Sequence, residues 1–184
     1  MNYCELSKTL SHALRHEPWL YELELDNEGW VEIKDVLASL RRESGSWACL
    51  SSEDLARMIT SADKRRHEIR DGRIRALYGH SITGKLKKIR ANPPGTLFHG
   101  TSPETLSLIH QKGLLPMNRQ YVHCSTDFAT AQQVGQRKAK NPVILVIQAI
   151  QAHNTGISFY EGNASVWLAD AIPPHFVDFP ASAG

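Results

Sequence analysis

The sequence predicts an α+β fold in two lobes. Three observations carry that expectation: apolar residues recur at helical spacing through the first third of the chain, an Asp-Gly turn then joins two short basic runs, and beyond Pro93-Pro94-Gly95 short apolar strands alternate with short helices. At 184 residues the chain has the length of one large domain or two small ones. The expected arrangement is two lobes sharing a cleft, residues 1–90 and 95–184. Hydrophobic residues make up 41% and charged residues 22% of the chain, which excludes a disordered polyelectrolyte and allows a packed core. A formal charge of +2 conceals an uneven distribution, because residues 64–90 hold a dense run of Lys and Arg. Local basicity is therefore the informative quantity.

In the first lobe, Leu6, Leu10 and Leu14 fall on one helical face, and Pro18 disfavours helical geometry at Glu17, so this helix ends near Arg15 and His16. Leu23 and Leu25, a turn at residues 27–29, and Val31 with Ile33 suggest a short strand and turn. A second helix carries Val36, Leu37 and Leu40. Ser51 or Ser52 caps a third, with Glu53 and Asp54 in its first turn and Leu55, Met58 and Ile59 as its apolar stripe. Asp71-Gly72 favours a two-residue type I′ hairpin, in which Arg70 faces Arg73, Ile69 faces Ile74 and Glu68 faces Arg75. Alternation then sorts Arg66, Arg70, Arg73 and Arg75 onto one surface. Three helices followed by a basic hairpin outline a winged helix, a shape common in nucleic-acid binding but not proof of it. A solvated charged face is the plainer reading of the hairpin; the like-charged Arg70–Arg73 pair favours an anionic partner instead. Pro93, Pro94 and Gly95 mark the lobe boundary.

In the second lobe, residues 96–99 read as a strand turning at Gly100 and Thr101 into a helix that starts at Ser102-Pro103-Glu104 and stops at Gly113. Residues 121–125 form a second strand, followed by a helix through Ala129 and Val134 to Gly135. Residues 143–147 are apolar throughout, as expected of a strand covered on both faces, and residues 166–168 and 176–179 supply further short strands. Neither GxGxxG nor GxxxxGKS occurs, so a Rossmann site and a P-loop are unsupported.

Other classes are set aside on similar grounds. Cys4, Cys49 and Cys124 are few and far apart, which suggests neither a disulfide framework nor a thiolate zinc site and fits a reducing cytoplasm. The start of the chain has no secretory h-region, and no apolar run approaches the ~20 residues of a membrane helix. His12 and His16 share a helical face as zincin ligands do, but the intervening glutamate is missing, so no metal is expected. Arg15 and His16 alone have a simpler explanation, since cations favour a helix C-terminus.

The ordered motifs decide between these readings. LRHEP at 14–18, DNEGWV at 26–31, DKRRH at 63–67, IRA at 74–76 and GHS at 79–81 are followed by FHGT at 98–101, GLL at 113–115, RQYVHCS at 119–125, VILV at 143–146 and VWL at 166–168. Taken together over nearly the whole chain, this set resembles the RNA 2′-phosphotransferase family. The resemblance implies an N-terminal winged-helix lobe for the RNA phosphate and a C-terminal lobe similar to ADP-ribosyltransferases for NAD. Carried over residue by residue, the family's essential Arg-His-Arg-Arg set falls on Arg15, His16, Arg66 and Arg119, and its NAD-lobe pattern on His99, His123 and Val166. Gly100, Thr101 and Ser125 join the expected cofactor contacts, with Arg65 and Arg70 as secondary phosphate contacts. Departures from the pattern are His67 for a usual Phe, Ala62 for a polar residue, Cys124 for Leu, and Asn163 displaced from the position that Ala164 occupies.

The implied reaction has two steps. An internal 2′-phosphate of a tRNA-like RNA attacks the nicotinamide ribose of NAD, and nicotinamide leaves an ADP-ribosylated RNA 2′-phosphate. The neighbouring ribose hydroxyl then attacks phosphorus, releasing 2′-hydroxyl RNA and ADP-ribose 1″,2″-cyclic phosphate. A phosphomonoester with a second pKa near ~6 is already largely a dianion, so the first step needs positioning, for which arginine forks serve. The second needs a proton at the departing oxygen, a role that suits His16, with Arg119 stabilising charge. The enzyme is expected to be a monomer without metal. Two alternatives remain: a transferase that caps terminal phosphates of RNA or DNA, and a winged-helix binder whose second lobe only senses NAD or ADP-ribose.

Overall fold

The computed structural model describes residues 2–180. Its internal contacts divide the chain into one unit ending at Lys87 and another beginning at Lys88. Helices accompany an antiparallel sheet in each unit, so the fold is α+β.

Helix α1 (Tyr3–Arg15) begins where the Asn2 side chain accepts the Glu5 amide, and buries Leu6, Leu10, Ala13 and Leu14 completely. Each buried leucine contributes about 1.5–3 kcal/mol of transfer free energy, which outweighs the modest intrinsic propensity of so short a helix. The amides of His16 and Glu17 both return to the carbonyl of His12, closing the helix one turn before a 3₁₀ turn at Pro18–Tyr21.

The strand expected at Leu23 and Leu25 does not form. Asp26 instead gathers the loop: its carboxylate accepts the amides of Glu28 and Trp30, its own amide donates to the Trp30 carbonyl, and Gly29 takes φ 84°. Leu23 and Leu25 reach the core from irregular backbone. Strand β1 (Val31–Glu32) is only two residues long, and Ile33 opens helix α2 (Ile33–Glu43). Ser51 and Asp54 form a reciprocal capping box at helix α3 (Ser52–Thr60). The hairpin of β2 (His67–Arg70) and β3 (Arg73–Ala76) has the expected register, with Arg70 opposite Arg73 and Ile69 opposite Ile74. Asp71 and Gly72 both take positive φ, as a type I′ turn requires. The sheet order is β1-β3-β2.

The second unit is a six-stranded sheet. In chain order it contains β4 (Leu97–Thr101), α4 (Leu106–Lys112), β5 (Val122–Ser125), α5 (Phe128–Gly135), β6 (Val143–Ile147), α6 (Ala149–Asn154), β7 (Phe159–Asn163), β8 (Val166–Ala169) and β9 (Val177–Asp178). The order across the sheet is β7-β8-β5-β4-β6-β9, and every pairing is antiparallel. Gly100 and Thr101 remain in β4 rather than turning, because they pair with Ile144 and Val143. Strand β6 is covered less evenly than its composition suggests: Leu145 and Ile147 are buried while Val143, Ile144 and Val146 are half-buried. The segment read as a linker is partly built in, since Ala91 donates to Phe159 and the Gly95 carbonyl accepts Ile150. No helix among the described residues is long and apolar enough to cross a membrane.

Candidate functional site

Three of the predicted residues meet where α1 ends and β2 begins. Arg15 donates from Nη2 to the carbonyl of Arg66 at 3.3 Å, and its guanidinium lies 5.1 Å from the centre of the Tyr78 ring. That same Arg66 carbonyl accepts the Leu77 amide at 3.0 Å, so the segment leaving β3 fixes the place where Arg15 docks. Ser81 completes the arrangement: its amide donates to the Arg15 carbonyl at 2.9 Å, and its Oγ lies 2.8 Å from Nδ1 of His16. Arg15, His16 and Arg66 are all half-buried. The Arg66 side chain donates from Nη1 to the Lys64 carbonyl at 3.4 Å, and an oxyanion within reach of both arginines would be attracted to each.

His67 reports the local potential independently. It is buried at 2% exposure, with Nε2 3.1 Å from Ser11 Oγ. Burial pushes its imidazole pKa down to about 3, and the charges of Arg15 and Arg66 push in the same direction. A neutral ring therefore fills the core behind two cations.

The hairpin arginines have protein partners. Arg70, Arg73 and Arg75 all lie over the buried Trp30 ring, at 4.8, 5.5 and 4.3 Å from its centre. Arg73 pairs with Asp26 at 3.2 Å, and Arg75 with Glu28 and Glu68. The like-charged Arg70–Arg73 pair is thus explained by a shared aromatic face and nearby carboxylates, without an external anion. Arg70 ends β2, whereas Arg66 precedes it, and the Arg70 guanidinium is turned to the Trp30 ring. Arg65 is exposed at the strand entry, 4.0 Å from Glu68.

A cavity of about 400 Å³ in the same unit is lined by Glu22, Glu24, Asp26, Glu32 and Asp35 with Trp30, Val31 and Arg73. Its carboxylates would repel a phosphate, so it is not the candidate site. Among the described residues, no group of three or more His, Cys, Asp or Glu side chains is placed to hold a metal. His12 and His16 have ring centres 6.1 Å apart, but His12 turns to Glu17 at 2.9 Å and to Tyr21, while His16 turns to Ser81.

In the second unit the expected cofactor residues lie along β4, β5 and β8. Strand β4 pairs with β6 at five positions but with β5 only at Phe98–Ser125. Past that pair a side chain takes over, for Nδ1 of His99 lies 2.8 Å from the His123 carbonyl. The sheet thus has a seam in its middle, bordered by His99, His123 and Ser125, with Val166 directly across from Ser125 on β8. Burial lowers the pKa of His99, the His123 hydrogen bond opposes that shift, and Lys138 adds to it. Gly100 has no room for a side chain: a Cβ there would sit 2.1 Å from the Ala131 carbonyl of α5. Its lack of a side chain is therefore explained by helix packing, and only its backbone is available for a ligand. Thr101 is buried, with its hydroxyl 2.7 Å from that of Thr105. Arg119 is exposed and closes a turn in which its amide donates to Pro116 and Met117 takes φ 56°.

The profile of the RNA 2′-phosphotransferase, Tpt1 / KptA family matches residues 2–171. The chain belongs to that family. A protein from Acetivibrio thermocellus described as "Probable RNA 2′-phosphotransferase" is 50% identical over 179 residues, covering 97% of this chain and 98% of its own. Another of that description from Bacillus thuringiensis subsp. konkukian is 50% identical over 175 residues, covering 95% and 94%. A third, from Rhodopirellula baltica, is 40% identical over 177 residues, covering 95% and 94%. Membership bears out the resemblance drawn from the ordered motifs and makes the chain a transferase. Ser81 and Tyr78 were not among the residues singled out for the site. The GHS motif was the available signal, but spacing alone does not tell which of its side chains faces His16.

Proposed function

We propose that this enzyme moves an internal 2′-phosphate of a tRNA-like RNA onto NAD, giving 2′-hydroxyl RNA, nicotinamide and ADP-ribose 1″,2″-cyclic phosphate. The observation that carries the proposal is the convergence of Arg15, His16 and Arg66 at the end of α1. In this reading the unit ending at Lys87 is a winged-helix RNA-phosphate lobe, and the unit beginning at Lys88 is an ADP-ribosyltransferase-like lobe.

NAD enters as a second substrate. The border between β4 and β5 carries compact polar groups of the kind that bind a ribose and a carboxamide. His99, His123, Ser125 and Val166 would hold it, with the Gly100 backbone beside them. It supplies an electrophilic ribose carbon and a leaving group that departs neutral.

Arg15 and Arg66 hold the phosphate dianion without protonating it, so its oxygen keeps its nucleophilicity. In the second step the ribose hydroxyl gives up its proton to solvent as it bonds to phosphorus, and the RNA 2′-oxygen takes one as its bond breaks. His16 delivers that proton, and Arg119 stabilises the charge that builds on phosphorus.

The test is incubation with NAD and a short RNA bearing one internal 2′-phosphate, in chelator, with analysis of both products. Arg15→Ala and Arg119→Ala are expected to abolish turnover, losing at least ~10³-fold. His16→Ala should slow the second step most and accumulate ADP-ribosylated RNA; equal loss in both steps would remove His16 from the donor role. Stable ADP-ribosylated RNA from the unaltered enzyme would instead favour end-capping.

A further inference from the structure

We infer that Ser81 is the positioning residue that aims His16, holding Nδ1 so that proton transfer runs through Nε2. The inference rests on the function proposed above for its catalytic consequence, but its structural content stands apart from that reading.

Ser81 touches both members of the Arg15–His16 pair, and by different groups. Its amide satisfies the Arg15 carbonyl, one of the carbonyls that a helix end leaves without an intrahelical partner. Its hydroxyl meets the His16 ring at 2.8 Å. The backbone contact locates the residue, and the side-chain contact then orients the ring. Two neighbours set where Ser81 can stand. Gly79 takes φ 91°, which bends the chain back after Tyr78, and His80 is buried at 3% exposure and anchors the bend. Tyr78, on the near side of the bend, lies against the Arg15 guanidinium. Residues 78–81 therefore form a short brace across the end of α1.

The chemistry follows from the two ring nitrogens. When the Nδ1–H of His16 donates to Ser81 Oγ, the neutral ring presents Nε2 as its basic atom, and the protonated ring carries its transferable proton there. In the second step the Nε2 proton passes to the departing RNA 2′-oxygen, and the ring is left neutral with Nδ1–H still held by Ser81. A ring released from Ser81 would lose both the tautomer and the direction, while α1 and the Arg15 carbonyl would remain held by the backbone amide. His12, one turn earlier on α1, has its ring centre 6.1 Å from that of His16 and is itself paired with Glu17.

The test combines a spectroscopic readout on the full chain without substrates with single-turnover kinetics. Nitrogen-15 NMR of the histidine rings, with His16→Gln used to assign the signal, should show His16 as the Nδ1–H tautomer in the unaltered protein. Ser81→Ala should lose that preference, and Ser81→Thr, which keeps the hydroxyl and the amide, should restore it. In turnover, Ser81→Ala should slow the second step about tenfold and accumulate ADP-ribosylated RNA, with the first step within about twofold; Ser81→Thr should recover most of the loss. An Nε2–H tautomer in the unaltered protein, or Ser81→Ala leaving both spectrum and second step unchanged, overturns the inference. If the unaltered enzyme makes no cyclic phosphate, the proposed function fails, and the tautomer alone then decides the place of Ser81.

Discussion

At the residue scale, the site depends on keeping neutral groups neutral beside charged ones. His67 lies in the core behind Arg15 and Arg66, and its folded pKa of about 3 lies below the ordinary value of 6.5. Above pH 6.5 neither the folded nor the unfolded chain protonates this ring. As pH falls from 6.5 toward 3, the unfolded chain binds a proton that the folded chain refuses, so stability is lost across that window. At about 1.4 kcal/mol per unit, the loss amounts to several kcal/mol. His67→Phe with Ser11→Ala, which removes the hydroxyl left without its ring partner, should flatten the decline. Urea unfolding at pH 7.5 and pH 5 checks this: the double variant should lose distinctly less stability between the two than the natural chain, and an equal loss would contradict the assignment. The ring was legible in the sequence only as a departure from a family pattern. Its burial follows from the register of β2, which puts His67 opposite Ala76 on the inner face.

At the element scale, helices and hairpin were readable because their signals are local. The 3.6-residue stripe of α1, the capping residues of α3 and the Asp71-Gly72 turn each specify geometry within a few positions. What escaped was non-local. Leu23 and Leu25 alternate like a strand, yet the hydrogen bonds of Asp26 turn the chain before a partner can form. Helix α6 spans only six residues, and strand β7 ends in Gly162-Asn163, a pair that reads as a turn. The hairpin arginines looked like an anion surface because no sequence rule places Trp30 beneath them. Glycines show the same limit. Gly113 ends α4 as expected, but its deeper constraint is that a Cβ would sit 2.1 Å from the Ile172 carbonyl, where Leu114 and Ile172 exchange hydrogen bonds. Gly100 is similar, pressed against α5. Gly100→Ala must push α5 off the sheet, and we expect it to destabilise the unit beginning at Lys88 by about 3 kcal/mol or more. Hydrogen exchange localises the effect: faster exchange in β4, α5 and β6, with α1 to α3 unchanged, is the expected pattern. Unchanged exchange in α5 would show that the packing is looser than its geometry.

At the scale of the whole molecule, the family was legible because its motifs run in order along nearly the entire chain, and the profile spanning residues 2–171 agrees. The grouping of Arg15, His16 and Arg66, to which we assign the phosphate, was named from the sequence too. Its support was not, since the brace formed by Tyr78 and Ser81 depends on how the chain returns across the end of α1. The central claim is that one phosphate acts first as nucleophile and then as electrophile while the same cations hold it. An RNA whose 2′-phosphate carries oxygen-18 at all its nonbridging positions tests this most directly, with mass spectrometry of the products. The account predicts ADP-ribose 1″,2″-cyclic phosphate retaining every label, one of them now bonded to the ribose carbon, and an RNA hydroxyl carrying none. A cyclic product missing one label, or labelled inorganic phosphate in its place, would contradict it.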